Sequence, residues 1–380
     1  ARLGNGGRGL MPAGRPHPGV RLRGVSVTMS GNWNARGLFG SGAAEPWPPR
    51  GITGYTLTSS TPGAALSLAD DSSFTAFGLC LAASTTGPRI ALTLGADTQD
   101  VDFATDFDGP VCRRFPVTAA TGSARLELLS GEAIITGWWT ERPQGVIVSN
   151  LGVPGSQLQF LGRADDATIA AQFRALPPDL VILAFGTNEG FAPFFDAARL
   201  ETQIREQVAR IRRLAGPVPI LLIGPPDAAS RNTELRNNIV GGAAGPVPDC
   251  NAVIQATPDR LPVEGLDIPY WDDAGGTLAP DPVTFSGPVS RPVRRGLPLF
   301  NPPALAAASA VERRLAGELG LAFWDWRMRQ GGSCAAVRWM QAGLIGPDFI
   351  HYSPAGGAEV ARLLLADLDA AQSFGAAGAH

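Results

Sequence analysis

The sequence predicts an α/β protein in which an all-β segment precedes a doubly wound parallel sheet. Three observations lead there. From about Gly19 to Gln144 the chain is rich in Thr, Ser and Gly and carries short β-prone runs parted by turn residues. From Gly145 onward, apolar strands alternate with segments of helical period. The run Leu180-Val181-Ile182-Leu183-Ala184-Phe185 is apolar throughout, as a parallel strand covered on both faces requires.

In the first region Arg23 to Met29, Ile90 to Leu94 and Ala124 to Leu129 read as strands, spaced as in an antiparallel sandwich. The second region opens with a strand at Val146-Ile147-Val148-Ser149-Asn150 and a helix from Ala167 to Leu176. After the Asp179 to Phe185 strand, a helix from about Ala197 to Ala215 turns Leu200, Ile204, Val208 and Ile211 to one side. Glu201/Arg205 and Glu206/Arg210 have the spacing of ion pairs on its outer face. Pro219 to Gly224 is the next strand. A Pro/Gly-rich excursion from Asp227 to about Pro303 is too long for an ordinary connection and reads as an elaborated loop near a site. A helix bearing Val311, Leu315 and Leu319 stops at Gly320, and Leu321 to Trp326 is a further strand. Ser353 and Pro354 stand at the N-cap and first position of the last helix, with Val360, Leu364 and Leu368 facing inward.

Length and composition narrow the chemistry. The 380 residues can hold two cores, and 44% hydrophobic with 17% charged residues marks a globular chain. All 31 basic residues are Arg, so no P-loop lysine or Schiff base exists. The arginines are scattered among acids, so no nucleic-acid partner is expected, and no apolar run nears the ~20 residues of a membrane span. The four cysteines form no C-x-x-C pair or Cys/His cluster, so no zinc site and no cofactor are expected. They allow three disulfide connectivities. Proximity favours Cys80–Cys112 and Cys250–Cys334, with free buried thiols as the alternative. The eight tryptophans, Trp138-Trp139 and Trp324/Trp326 among them, are assigned to packing ahead of sugar platforms. The opening Ala1-Arg2-Leu3-Gly4-Asn5-Gly6-Gly7 resembles a helix end running into a glycine stop, as in a processed or truncated product.

In a doubly wound sheet the reactive groups stand at the carboxyl ends of the strands. Three segments put polar residues there: Asn150-Leu151-Gly152-Val153-Pro154-Gly155-Ser156, Phe185-Gly186-Thr187-Asn188-Glu189-Gly190, and Asp348-Phe349-Ile350-His351. In order, spacing and strand context they resemble the signature blocks of the SGNH (GDSL) hydrolase family, over about Gly145 to Leu368. Gly224-Pro225-Pro226-Asp227 falls within the same match. The resemblance implies that Gly155 gives a backbone N–H and Asn188 a side-chain N–H to an oxyanion hole, that His351 is the general base, and that Asp348 orients it. Glu189 replaces the Asp more common after the family's Asn, at a position that supports the turn. The chemistry agrees independently: fixed N–H donors stabilise a tetrahedral oxyanion, and a base near pH 7 is most simply a histidine. His17 lies in a Pro-rich stretch and His380 is the last residue, leaving His351 as the base.

No Gly-Asp-Ser and no G-x-S-x-G stands in the chain. Ser149 and Ser156 follow the second strand of such a sheet, whereas the family's serine follows the first. The nucleophile is therefore expected upstream of Ala1, and the chain alone is expected to be inactive. This resembles a subgroup with a β-sandwich between its first two blocks, such as bacterial polysaccharide and peptidoglycan O-acetylesterases. The implied fold is a flavodoxin-like three-layer sandwich lacking its first strand, with an inserted all-β sandwich domain. Its parts are a remnant over 1–18, the inserted sandwich and candidate carbohydrate-binding module over 19–144, and the hydrolase domain over 145–380. The implied function is a secreted or periplasmic serine esterase removing acyl groups, acetyl foremost, from a glycan or small ester. O-acetyl transfer on the same fold and non-catalytic carbohydrate binding are the alternatives. In the strand order 2-1-3-4-5 the missing first strand should leave a slot between the strands at 146–149 and 180–185, or these should collapse together.

Overall fold

The computed structural model describes residues 4–17, 24–38, 48–103, 109–240, 247–251 and 298–377. Most of the Pro/Gly-rich excursion (252–297) and His380 lie outside them. Two compact units form: Ala1–Leu180 with Glu206–Val218, and Val181–Arg205 with Pro219–His380.

The first unit contains β1 (Asn5–Arg8), β2 (Val25–Ser30), β3 (Asn34–Gly37), β4 (Tyr55–Ser59), β5 (Ala65–Leu81), β6 (Arg89–Leu94), β7 (Asp97–Asp102), β8 (Val111–Ser130), β9 (Ala133–Glu141) and β10 (Val146–Val148). Eight of these make an antiparallel sheet in the order β3-β4-β9-β5-β8-β6-β7, with β2 also on β5. Strand β5 changes partners along its length. Its first part lies between β2 and the second half of β8, and Ala76–Leu81 lies between β9 and the first part of β8. Register shifts between Ala69 and Ala76 separate the two parts. Core residues of β5 are Leu66, Leu68 and Phe74 before the second shift and Phe77, Leu79 and Leu81 after it. The irregularity moves the inward set from even to odd positions and keeps both halves on one core. Cys80 and Cys112 face each other across β5 and β8 and are bonded. Trp138 is 1% and Trp139 0% exposed, so both are packing residues.

Asn5–Arg8 is a strand, parallel to β10, and not a glycine stop after a helix. Its glycines serve close approach: a Cβ on Gly6 would lie 2.7 Å from the Gly145 carbonyl oxygen, and one on Gly7 2.2 Å from that of Thr140. Helices α1 (Leu158–Leu161) and α2 (Asp166–Ala175) follow β10. Asp165 caps α2, accepting from the Thr168 N–H at 2.7 Å. Gln172, 1% exposed, accepts from the Ile52 N–H at 2.8 Å and donates to the Thr136 carbonyl at 3.2 Å.

The second unit holds β11 (Val181–Ala184), α3 (Thr187–Gly190) and the start of α4 (Ala197–Ala215), then β12 (Ile220–Ile223), α5 (Pro303–Leu319), β13 (Ala322–Trp324), α6 (Trp326–Gln330), α7 (Ala335–Gln341) and α8 (Pro354–Ala377). Strands β11-β12-β13 form a parallel sheet, in the adjacency expected for the third to fifth strands. All four residues of central β12 are buried. On α4 the predicted Glu201–Arg205 pair forms at 2.8 Å, but Arg210 goes to Asp166 at 2.6 Å instead of Glu206. Cys250 is bonded to Cys334, and Ser353 caps α8 by accepting from the Gly356 N–H at 3.1 Å.

Among the described residues β10 pairs only with β1, and β11 only with β12. Val146 and Val148 of β10 remain 47% and 71% exposed, and Ile182 of β11 44%, although a doubly covered parallel strand would bury all three.

Candidate active site

At the carboxyl end of β11 the chain turns through Gly186, whose φ of 96° only glycine adopts readily, into the single turn of α3. The Glu189 carboxylate accepts from the Gly186 N–H at 2.9 Å, and the Gly190 N–H donates to the Gly186 carbonyl at 2.9 Å. Half-buried Asn188 rides on this closed turn. Glu189 thus supports the turn, as its position implied.

Asp348 and His351 are brought together by the loop before α8. The Gly346 N–H donates to the His351 carbonyl at 2.7 Å, and Ile345 bridges to Tyr352. Between the two side chains Phe349 takes a φ of 62°, unusual for a bulky residue. Its ring is 6% exposed and packs in the core with Cys250, Cys334 and Met340, which holds that conformation. With Phe349 buried, the side chains on either side turn outward: 46% of Asp348 and 81% of His351 is exposed.

The His351 Nδ1–H donates to Asp348 Oδ2 at 2.7 Å, while Asp348 Oδ1 accepts from the Ile350 and His351 N–H groups at 3.0 Å each. Burial alone would raise the Asp348 pKa. The bonds from the His351 ring and the two backbone N–H groups outweigh it and hold the carboxyl below its usual range. The hydrogen bond to Asp348 in turn raises the imidazole above its ordinary 6.5, against partial burial and with help from the carboxylate's charge. Nδ1 is committed, so Nε2 is the basic nitrogen, and among the described residues no serine hydroxyl bonds to it.

Gly155 belongs to the first unit. The Ser156 N–H donates to the Val153 carbonyl at 3.0 Å, with Pro154 and Gly155 (φ 76°) at the turn's centre, as in a type II turn. The Gly155 N–H has no hydrogen-bond partner among the described residues and is free to donate. In the same unit the Ser149 hydroxyl oxygen accepts from the Leu10 N–H at 2.9 Å, a structural use.

Two buried acids of the second unit were given no role by their sequence positions. Asp227, 1% exposed after β12, accepts from Asn301 Nδ2 at 2.6 Å and from the Ala336 N–H at 3.0 Å. Arg327 lies 3.5 Å away. Glu312 sits on the buried face of α5, 3% exposed. Its only signal in the sequence is helical spacing from Leu305, Ala308 and Leu315.

Residues 117–358 match the model of the GDSL-like Lipase/Acylhydrolase family. No curated protein matches the chain significantly. Among solved structures, a peptidoglycan O-acetylesterase is similar at a TM-score of 0.64 and 20% identity, over 96% of this chain and 82% of that one, a likeness of fold. Two weaker likenesses carry no argument. A family two carbohydrate esterase from Cellvibrio japonicus has a TM-score of 0.18 and 13% identity, over 53% of this chain and 79% of that one. The salicylyl-acyltransferase SsfX3 of a tetracycline biosynthetic pathway has 0.31 and 12%, over 92% and 95%. The Gly186–Gly190 turn, the Asp348–His351 pair and the parallel sheet beneath them all fall in the matched residues, which are well over half the chain. The chain belongs to the GDSL-like lipase/acylhydrolase family.

Proposed function

We propose that this protein is a serine esterase removing acyl groups, acetyl foremost, from a glycan, with His351 as general base and Asp348 as its orienting partner. The observation that carries this is the 2.7 Å Asp348–His351 bond, with Asp348 itself held by two backbone N–H groups. It leaves an outward Nε2 basic enough to take a hydroxyl proton. The nucleophile is a serine on a strand that adds to the open edge of β11, since no Gly-Asp-Ser stands in these 380 residues.

As the serine oxygen bonds to the ester carbon, its proton passes to His351 Nε2, and the carbonyl oxygen becomes an oxyanion. The Asn188 amide and the Gly155 N–H are the donors assigned to it. Collapse breaks the bond to the sugar oxygen, which leaves with the proton from His351. Water, deprotonated by the same nitrogen, then releases the acid and restores the serine. The β-rich region positions polymeric substrate. A likeness of fold to a peptidoglycan O-acetylesterase and two disulfides support a glycan substrate and a site of action outside the cytoplasm.

The test is hydrolysis of p-nitrophenyl acetate and of an acetylated glycan by the full-length protein, its His351→Ala variant and the 380-residue chain. The full-length protein should turn over both substrates, and the other two should stay at background. Saturable turnover by the 380-residue chain, abolished by a serine-directed inhibitor, would overturn the assignment of the nucleophile.

A further inference from the structure

Helix α5 touches the Gly186–Gly190 turn at both ends. A Cβ on Gly190 would lie 2.6 Å from Leu305 Cδ2. Two helical turns further on, a Cβ on Gly186 would lie 2.9 Å from Glu312 Oε1 and 3.0 Å from Pro225 Cδ. The Glu189 carboxylate meets the same glycine from the other side, through its N–H. Two carboxyl groups therefore flank one backbone unit, and Glu312 Oε2 is buried with no hydrogen-bond partner among the described residues. A buried, unpaired carboxylate beside a second one costs too much to persist.

We propose that Glu312 is a positioning residue for Asn188, its side chain wedged against Gly186 so that the turn carrying the Asn188 amide has one conformation. This rests on the reading of Asn188 as an oxyanion donor. Burial, and then the charge of Glu189, raise the Glu312 pKa well above its ordinary value. Among the described residues of the elements packed on α5, the charged group facing it is Glu189 of α3. Strands β12 and β13 are apolar there, Arg236 lies over the Phe300 ring at 4.7 Å, and Glu234 is exposed. A neutral Glu312 fills the space behind Gly186 without repelling Glu189. An ionised or truncated one would let the turn open.

The test has two arms. In the 380-residue chain, amide exchange of Gly190 and Phe191, whose N–H groups close the turn on Gly186 and Thr187, is measured across pH. Glu312→Ala should speed it about tenfold, and Glu312→Gln, neutral and of the same shape, should leave it unchanged. In the full-length protein, Glu312→Ala should lower kcat on the order of 10- to 100-fold at constant KM, and Glu312→Gln should restore it. Unchanged exchange in Glu312→Ala, or equal damage from Gln and Ala, would overturn the proposal. Asn188→Ala separates the two readings: a wild-type kcat there removes Asn188 from the oxyanion site, while exchange, which reads the turn alone, still decides on Glu312.

Discussion

Replacing Asp227 by Asn should change how stability depends on pH. Burial pushes the Asp227 carboxyl up to about 6 from an ordinary 3.8, although the Ala336 N–H, Arg327, the backbone at Cys334 and Arg338 pull the other way. Its folded value lies above its unfolded one, so the folded protein binds the extra proton between 3.8 and about 6. The stability linked to that proton is fully present below 3.8 and lost as pH rises through about 6. The difference corresponds to ~3 kcal/mol. Asparagine does not ionise, so the variant lacks this loss. It carries instead a pH-independent cost of about 1–3 kcal/mol, because its amide keeps one acceptor oxygen where Asp227 uses two, one for Asn301 and the other for the Ala336 N–H. Urea unfolding followed by tryptophan fluorescence reads this unit through Trp326 and Trp339, which pack on Tyr352. Between pH 4 and pH 7 the wild type should lose about 2.4 kcal/mol relative to the variant. A constant difference across that range would show that the carboxyl ionises as it does in water.

Three further outcomes are expected. In the full-length protein Asn188→Ala should lower kcat by about 10²–10³ with little change in KM, read from initial rates on a small ester. The pH–rate profile should rise with pH through an inflection above 6.5, because only neutral His351 can accept the proton, and Asp348→Asn should move that inflection down and cut kcat by roughly 10⁴. On chain entropy, replacing Cys250 and Cys334 together by Ser opens a separation of 84 residues and costs ~4.6 kcal/mol, while the Cys80/Cys112 pair, 32 apart, costs ~3.7 kcal/mol. Denaturant titration of both double variants checks the order, which a greater loss from the shorter loop would contradict.

The parallel strands, the long helices and the Asp348–His351 turn were legible because each has a local cause. Four-residue apolar runs, 3.6-residue spacing and an aspartate three residues before a histidine act within a few residues of themselves. The strand at Asn5–Arg8 was not legible, since its glycines answer to Gly145 and Thr140, more than 130 residues away. Likewise the partner change along β5 depends on register shifts against β8, which no period in either segment announces. Glu312 shows only its helical spacing with Leu305, Ala308 and Leu315 until α5 is set against Gly186, and Arg210 has a local partner in Glu206 that loses to Asp166. Short helices such as α3 and α7 are too brief for a period and are made by caps and tertiary contacts.

The unbroken run of β5 and β8 through both halves of the antiparallel region has a mechanical consequence. Each half borrows the same two strands, which a covalent bond from Cys80 to Cys112 ties together near one end. Neither half can peel away while the other stays folded, because detaching one means pulling ordered backbone out of its neighbour. Local opening is thereby suppressed, and the region should resist nicking by proteases until it unfolds in a single step. A module built this way keeps its surface intact in a protease-rich setting without needing great overall stability.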